Sequence, residues 1–284
     1  MTLRTYKTPE GFRTALEQRI HKRAEDLKRT FERERTLLVF DRLLGRIGQE
    51  FGDSATLKGG FALERRLARA RTTKDVDLRM VGSPANVLQR LQAAGRLDLG
   101  DRMRFEIIPD PKHPEITGAG AKYGGPRFLA VCQIAAKNFG TPFGIDIGFG
   151  DPVFGEFDTI TAPDVLDFIG VPPPVIRVYP VETHLAEKLH AYTMRYADHN
   201  SNSRVKDLPD LALLATMRPL RSDAIRAALA QTFKHRATHE APPGASSTPC
   251  CPAPTYASGH RRTGPGRRSP RRPEPPPPLL SSGT

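Results

Sequence analysis

The stretch Leu57-Lys58-Gly59-Gly60-Phe61-Ala62-Leu63, followed by Arg71-Thr72-Thr73-Lys74-Asp75-Val76-Asp77-Leu78, constrains the fold more than any other part of the chain. Side chains alternate faces along a strand, so a strand here puts Asp75 and Asp77 on one side and Val76 and Leu78 on the core side. Two carboxylates held that close repel unless a cation lies between them. A hard divalent cation with oxygen ligands, above all Mg²⁺, satisfies that demand. Upstream, the paired glycines allow a tight turn and close approach of a ligand. The helix start that follows presents unpaired N–H groups and positive dipole character to a phosphate. Singly, a Gly-Gly pair fits any turn and a D-x-D fits a solvated strand face. Together, at this spacing and with apolar residues on both sides, they form a device for holding a metal-bound triphosphate.

Two-metal chemistry needs more carboxylate than one pair supplies. The best third candidate is Asp146, a lone acid in Phe143-Gly144-Ile145-Asp146-Ile147-Gly148-Phe149. A buried carboxylate without a partner is costly, so Asp146 is expected to meet a metal, a cation or backbone donors. Asp151, on the loop that follows, is the rival. A structural role for either stays open on sequence alone.

Around this segment the chain divides by texture. Leu16, Ile20, Ala24 and Leu27, then Leu37, Phe40, Leu43, Leu44 and Ile47, recur at helical spacing and predict two helices within 9–51. Gly52-Asp53-Ser54 breaks the pattern. Short apolar or alternating segments follow at Thr56-Leu57, Asp75 to Met80, Arg104 to Ile108, Phe128 to Ile134 and Phe143 to Phe149. They read as strands, with helices at Phe61 to Ala70 and Pro84 to Ala94. This is the pattern of an α/β (α+β) catalytic half with a mixed sheet. A second helical region runs from Pro180 to about Phe233; Leu185, Leu189, Tyr192 and Tyr196 form one face, and Leu208, Leu211, Leu214 and Ala215 another. Pro163-Asp164 and Pro172-Pro173-Pro174 separate the halves. The expected organisation is a helical segment over 1–55, a catalytic core over 56–170, a helical region over 171–237 and a tail over 238–284.

The tail is Pro-, Ser-, Gly- and Arg-rich and lacks core-forming residues, so it is expected to be disordered. A change of reading frame is the favoured account of it, with a basic RNA-binding tail as the other. Of a net charge of +12, the last 44 residues supply six Arg against one Glu, so the rest is basic as well. A basic body favours polyanionic partners. Arg65, Arg66, Arg69 and Arg71 are placed to touch phosphates, or else form a solvated helix face. Cys132, in an apolar run, reads as a small buried hydrophobe. Cys250 and Cys251 have no partner at metal spacing. No apolar run approaches the roughly 20 residues of a membrane span, and the start lacks the apolar stretch of a secretory signal. A cytoplasmic protein without membrane partners is expected.

Gly59-Gly60 with Asp75-x-Asp77 resembles the first motif of the DNA polymerase β-like nucleotidyltransferase superfamily. The segments Glu182-Thr183-His184-Leu185-Ala186-Glu187-Lys188-Leu189-His190-Ala191 and Arg204-Val205-Lys206-Asp207-Leu208-Pro209-Asp210-Leu211 resemble the AbiEii/AbiGii toxins of bacterial abortive-infection (toxin–antitoxin) systems. The resemblance spans roughly 9–235. It implies that Asp75, Asp77 and Asp146 bind two Mg²⁺ ions (Mn²⁺ being possible) and that Asp146 can serve as general base. It further implies that Lys188 contacts the triphosphate beside Lys58, Gly59 and Gly60, and that Lys206 and Asp210 match a late Lys and an essential Asp. The implied reaction transfers NMP from an NTP to an RNA acceptor, the 3′ end of tRNA, under the control of an AbiEi-like antitoxin. A protein or small-molecule acceptor, or an inactive relic that binds nucleotide or antitoxin, are the alternatives. On the residues themselves, Lys206 and Asp210 lie four apart and share a helix face if the helix starts before Pro209, either as a plain ion pair or to position Lys188. His184 and His190 read as packing or surface residues. Gly60 stands where the superfamily usually has Ser, and the sequence after Thr238 departs from the family's folded helical continuation.

Overall fold

A computed structural model describes residues 5–116, 124–194 and 203–243. The predicted tail lies almost wholly outside these residues, as do Tyr196, Cys250 and Cys251.

Two long helices open the chain. Helix α1 (Pro9–Asp26) starts with Thr8, whose hydroxyl accepts from the Gly11 N–H, and with Pro at its first position. Helix α2 (Phe31–Phe51) is capped in the same way by Thr30 and ends at Gly52, which adopts φ 53°. The strands and short helices that follow are β1 (Ala55–Lys58), α3 (Gly59–Arg66), β2 (Asp75–Met80), α4 (Val87–Arg96), β3 (Arg104–Pro109), β4 (Arg127–Ile134), β5 (Lys137–Asn138), β6 (Phe143–Phe149), β7 (Asp158–Thr161) and β8 (Val175–Val178). The chain then turns helical again in α5 (Val181–Thr193), α6 (Asp207–Met217) and α7 (Ser222–Arg236). No helix among the described residues is long and apolar enough to cross a membrane.

The strands form one mixed sheet in the order β3-β4-β6-β2-β1-β8-β7, with β5 paired to β4. β2–β6 and β1–β8 are parallel, and the other pairs are antiparallel. The α/β expectation holds. The sheet runs on to residue 178, past the residue 170 where the sequence places the end of the catalytic core. Alternation decides its two faces. Leu57, Val76, Leu78, Phe128, Ile145 and Ile147 are buried in one large core with Phe12, Leu16 and Ile20 of α1, Leu37, Phe40, Leu43 and Ile47 of α2, and Leu91 of α4. Cys132 is buried there too, its thiol pushed up to about 12 by burial, as suits an inert core side chain. The opposite parity, at Lys58, Asp75, Asp77, Arg127 and Asp146, leaves a polar face. Smaller apolar clusters hold the C-terminal helices to α3 and to one another. Leu63 and Ala70 pack with Val181 and Leu214, and Ala186 packs with Ala228, Leu229 and Phe233.

Candidate active site

Register brings the polar face together. Lys58 pairs across from Asp77 on β2, Asp77 from Asp146 on β6, and Asp146 from Arg127 on β4. One row across four strands therefore reads cation, carboxylate, carboxylate, cation. Asp75 sits two residues along β2, across from Gly144. This row lines a cavity of about 680 Å³, whose other wall carries His184, Glu187 and Lys188 of α5, Lys206 and Asp207 at the start of α6, and Arg236 of α7.

Glycine makes the close packing possible at two points. Gly59 has φ +66°, and a Cβ there would lie 2.0 Å from Asp77 Oδ2. A Cβ on Gly144 would lie 2.7 Å from Asp75 Oδ1. The turn between β1 and α3 thus presses directly on Asp77, and the Gly60 N–H donates to its carboxylate. Burial, and then the neighbouring Asp146 charge, push the Asp77 carboxyl up to about 6. Asp75, at the rim, is raised for the same two reasons. Neither forms an ion pair among the described residues. Asp146 does: Arg127 grips it with Nε and Nη2, both at 2.6 Å.

The rival acid Asp151 belongs to another network. Lys58 Nζ donates to Asp151 Oδ2 at 2.6 Å, and Arg236 reaches Asp151 at 3.3 Å and Glu187 at 3.6 Å. Burial acts to lower the Lys58 ammonium, but Glu187 and Asp151 outweigh it and hold Lys58 above its ordinary range. Asp151 is correspondingly held low against its own burial by Lys58 and Arg236.

Lys188 is buried, and its Nζ donates to Asp210 Oδ2 at 2.8 Å and Asp207 Oδ1 at 3.1 Å. Arg71 adds a contact to Asp210 at 3.2 Å. Helix α6 begins before Pro209, as the i,i+4 argument requires, but Asp210 pairs with Lys188 and Arg71 rather than with Lys206. Lys206 instead faces the cavity, where its charge acts on Asp75.

Two of the arginines expected near phosphates are structural. Arg65 bonds Asp41 and the Leu37 carbonyl, and Arg66 bonds Asp158 and the Tyr179 carbonyl. Arg69 is exposed, and of the four Arg71 alone lines the cavity. Sequence reasoning missed Arg127 and Asp207. The first is visible only through its register with Asp146, while the second stands in Lys206-Asp207-x-x-Asp210 and its i,i+3 spacing could have flagged it.

The carboxylates fit a divalent cation in their chemistry. Asp77, largely buried, and Asp75, exposed at the rim, offer oxygen donors that repel each other and have no paired cation among the described residues, which is the condition a metal relieves. As the side chains stand, no group of three acids, His or Cys among the described residues is gathered tightly enough to hold an ion, and Asp146 is engaged by Arg127.

Comparisons with known proteins bear on this geometry. The sequence model of the nucleotidyl transferase AbiEii toxin, Type IV TA system, matches residues 42–274. The match starts within α2 rather than at residue 9, and it continues past residue 235 beyond the described residues. No curated protein matches. Among solved structures, MenT4, a nucleotidyltransferase toxin from Mycobacterium tuberculosis H37Rv, aligns with a TM-score of 0.51 at 18% identity, covering 76% of this chain and 68% of that one. JHP933 from Helicobacter pylori aligns with a TM-score of 0.42 at 16% identity, covering 70% of this chain and 79% of that one. The MenT4 likeness speaks to the fold, and the family match over most of the chain speaks to the chemistry. The chain belongs to the AbiEii nucleotidyltransferase toxin family of Type IV toxin–antitoxin systems.

Proposed function

We propose that this nucleotidyltransferase is Mg²⁺-dependent and transfers NMP from an NTP to an RNA acceptor, the 3′ end of tRNA, releasing pyrophosphate. The observation that carries the reading is the row Lys58, Asp77, Asp146 and Arg127, with Asp75 beside it, under the Gly59-Gly60 turn. Asp75, Asp77 and Asp146 would hold the metal (Mn²⁺ being a substitute). When bound, the metal neutralises charge on the triphosphate and acidifies the attacking hydroxyl.

The chain's own groups do the rest. The start of α3 and Lys58 receive phosphoryl oxygens. Lys188 uses two of its three N–H donors on Asp207 and Asp210, which fixes its direction and leaves the third for a phosphate. Asp210 thus acts by positioning Lys188. Asp146 takes the proton of the acceptor hydroxyl once Arg127 releases it. An RNA acceptor is supported by cations around the cavity mouth, among them Arg71, Lys74, Arg127, Arg204 and Lys206. Control falls to an antitoxin of the AbiEi kind.

The test is a transfer assay with each α-labelled NTP, Mg²⁺ and total bacterial tRNA, run beside Asp75→Ala. Label entering tRNA with the native protein alone supports the reading and identifies the nucleotide. Label entering protein, or none from a folded sample, overturns the RNA acceptor.

A further inference from the structure

The sequence reads His184 as a packing or surface residue, and the structure buries it. It lies at the first turn of α5, is 1% exposed, and neither ring nitrogen has a hydrogen-bond partner among the described residues. His184 is also among the residues that line the catalytic cavity, together with Lys58 and Lys188. Lys188 follows it by one helical turn, on the same side of α5.

A buried imidazole with both nitrogens unused is expensive, because it has lost its water and gained nothing in return. Its neighbours explain what it lacks. The charges acting on it are Lys188, Arg66 and Lys58, all cationic, and with burial they hold its pKa well below the ordinary value. A neutral imidazole carries one N–H donor and one acceptor lone pair. Each of these cations already has a carboxylate, Lys188 in Asp207 and Asp210, Lys58 in Asp151 and Arg66 in Asp158, but none of those carboxylates bonds the ring. A phosphoryl oxygen entering the cavity would accept the N–H bond that the imidazole lacks.

We propose that His184 is a substrate-contacting residue whose ring donates a hydrogen bond to a phosphoryl oxygen of the nucleoside triphosphate, beside Lys58 and Lys188. The proposal rests on the nucleotidyltransferase reading of the cavity and adds to it a donor that has no partner among the described residues. The other ring nitrogen is left for a water or a hydroxyl.

The discriminating variant is His184→Leu, which removes both orphaned nitrogens and keeps an apolar side chain. Two quantities are measured: the melting temperature, and equilibrium affinity for two probes with Mg²⁺, a non-hydrolysable NTP analogue and inorganic tripolyphosphate. The expected result is melting at or above the native temperature, with affinity for both probes weakened about 10- to 100-fold, the size of a lost hydrogen bond to a charged group. His184→Asn, which keeps an N–H donor, should recover part of the affinity, and it carries the test if the Leu variant does not fold. Unchanged affinity for both probes in the Leu variant overturns the proposal and leaves His184 with a buried water. Loss of the NTP analogue alone, with tripolyphosphate unaffected, also overturns it, because the contact would then be with the nucleoside. A folded native protein that binds neither probe refutes the nucleotide-binding reading of the whole cavity, an outcome distinct from both.

Discussion

Asp210 shows how much of this site is held by single carboxylates. It is 1% exposed and receives both Lys188 and Arg71, yet its second oxygen has no hydrogen-bond partner among the described residues. Removing one partner of a buried ion network leaves charge uncompensated, which costs about 3–5 kcal/mol when nothing else can substitute. Asp207 remains to share Lys188, so Asp210→Ala is expected at the low end, about 3 kcal/mol, in chemical denaturation. Asp210→Asn keeps the shape and one acceptor oxygen. It should lose less stability and still lose most transferase activity, since Asp207 is then the only charged partner that holds Lys188. If Asp210→Asn retained native activity, Asp210 would be a structural residue with no part in positioning Lys188. Arg46 and Arg42 around Asp101 give the contrast. That triad is equally buried and tightly bonded, but it lies outside the catalytic cavity and ties α2 to the loop before β3.

At the scale of elements, the C-terminal helices are joined by a histidine as well as by apolar contacts. His190 on α5 is 1% exposed, lies edge-on to Phe233 of α7 and pairs through Nε2 with the Thr238 hydroxyl. Burial, then Arg236 and His239, lower its pKa to about 4. A histidine with a depressed folded value favours the neutral form in the fold. Its contribution is therefore complete above the unfolded value near 6.5 and is lost as pH falls toward 4. Native stability should drop across that window by an amount on the order of 1–3 kcal/mol from this group. His190→Gln keeps a polar side chain that does not titrate. Melting curves of the two proteins should converge as pH falls from 6.5 to 4, and parallel curves across that range would remove His190 as the cause.

Elements also show what was legible in the sequence. Strands β2 and β6 could be read because Val76 and Leu78, or Ile145 and Ile147, alternate with polar or small residues over a buried face. The two helices within 9–51 were legible for the same reason at helical period. Strands β7 and β8 were not. Asp158–Thr161 is a four-residue edge strand with no buried residue, and β8 follows directly on the three prolines that look like a divider. In the site, Asp75, Asp77, Gly59 and Gly60 announce themselves by local spacing. Arg127 lies 19 residues from Asp146, and only the antiparallel register of β4 and β6 brings them together. His184 sits in a stretch whose local texture is that of a core helix, so its orphaned nitrogens are a property of the fold alone.

At the scale of the whole molecule, the sheet separates an apolar, packed side from a chemical side. Helices α1, α2 and α4 pack on one face in a single large core, while Asp75, Asp77 and Asp146 project from the other toward the helices that carry Lys188 and Asp210. That division predicts which substitutions spare the protein and remove only its effect on a cell. Asp77 makes no ion pair among the described residues, accepts a backbone N–H from Gly60, and is disfavoured as a charge by its burial and by Asp146. Asp77→Ala therefore removes a repelled carboxylate from a core that does not depend on it, so the variant should fold and accumulate as the native chain does. Inducible expression of the native protein in a bacterium should slow growth, as befits a member of a toxin family. Expression of Asp77→Ala to the same level, checked by immunoblot, should restore it. The comparison separates catalysis from mere accumulation, because the two proteins share every surface except one carboxylate inside the cavity. Equal toxicity from both would mean that growth arrest does not come from nucleotidyl transfer at this site.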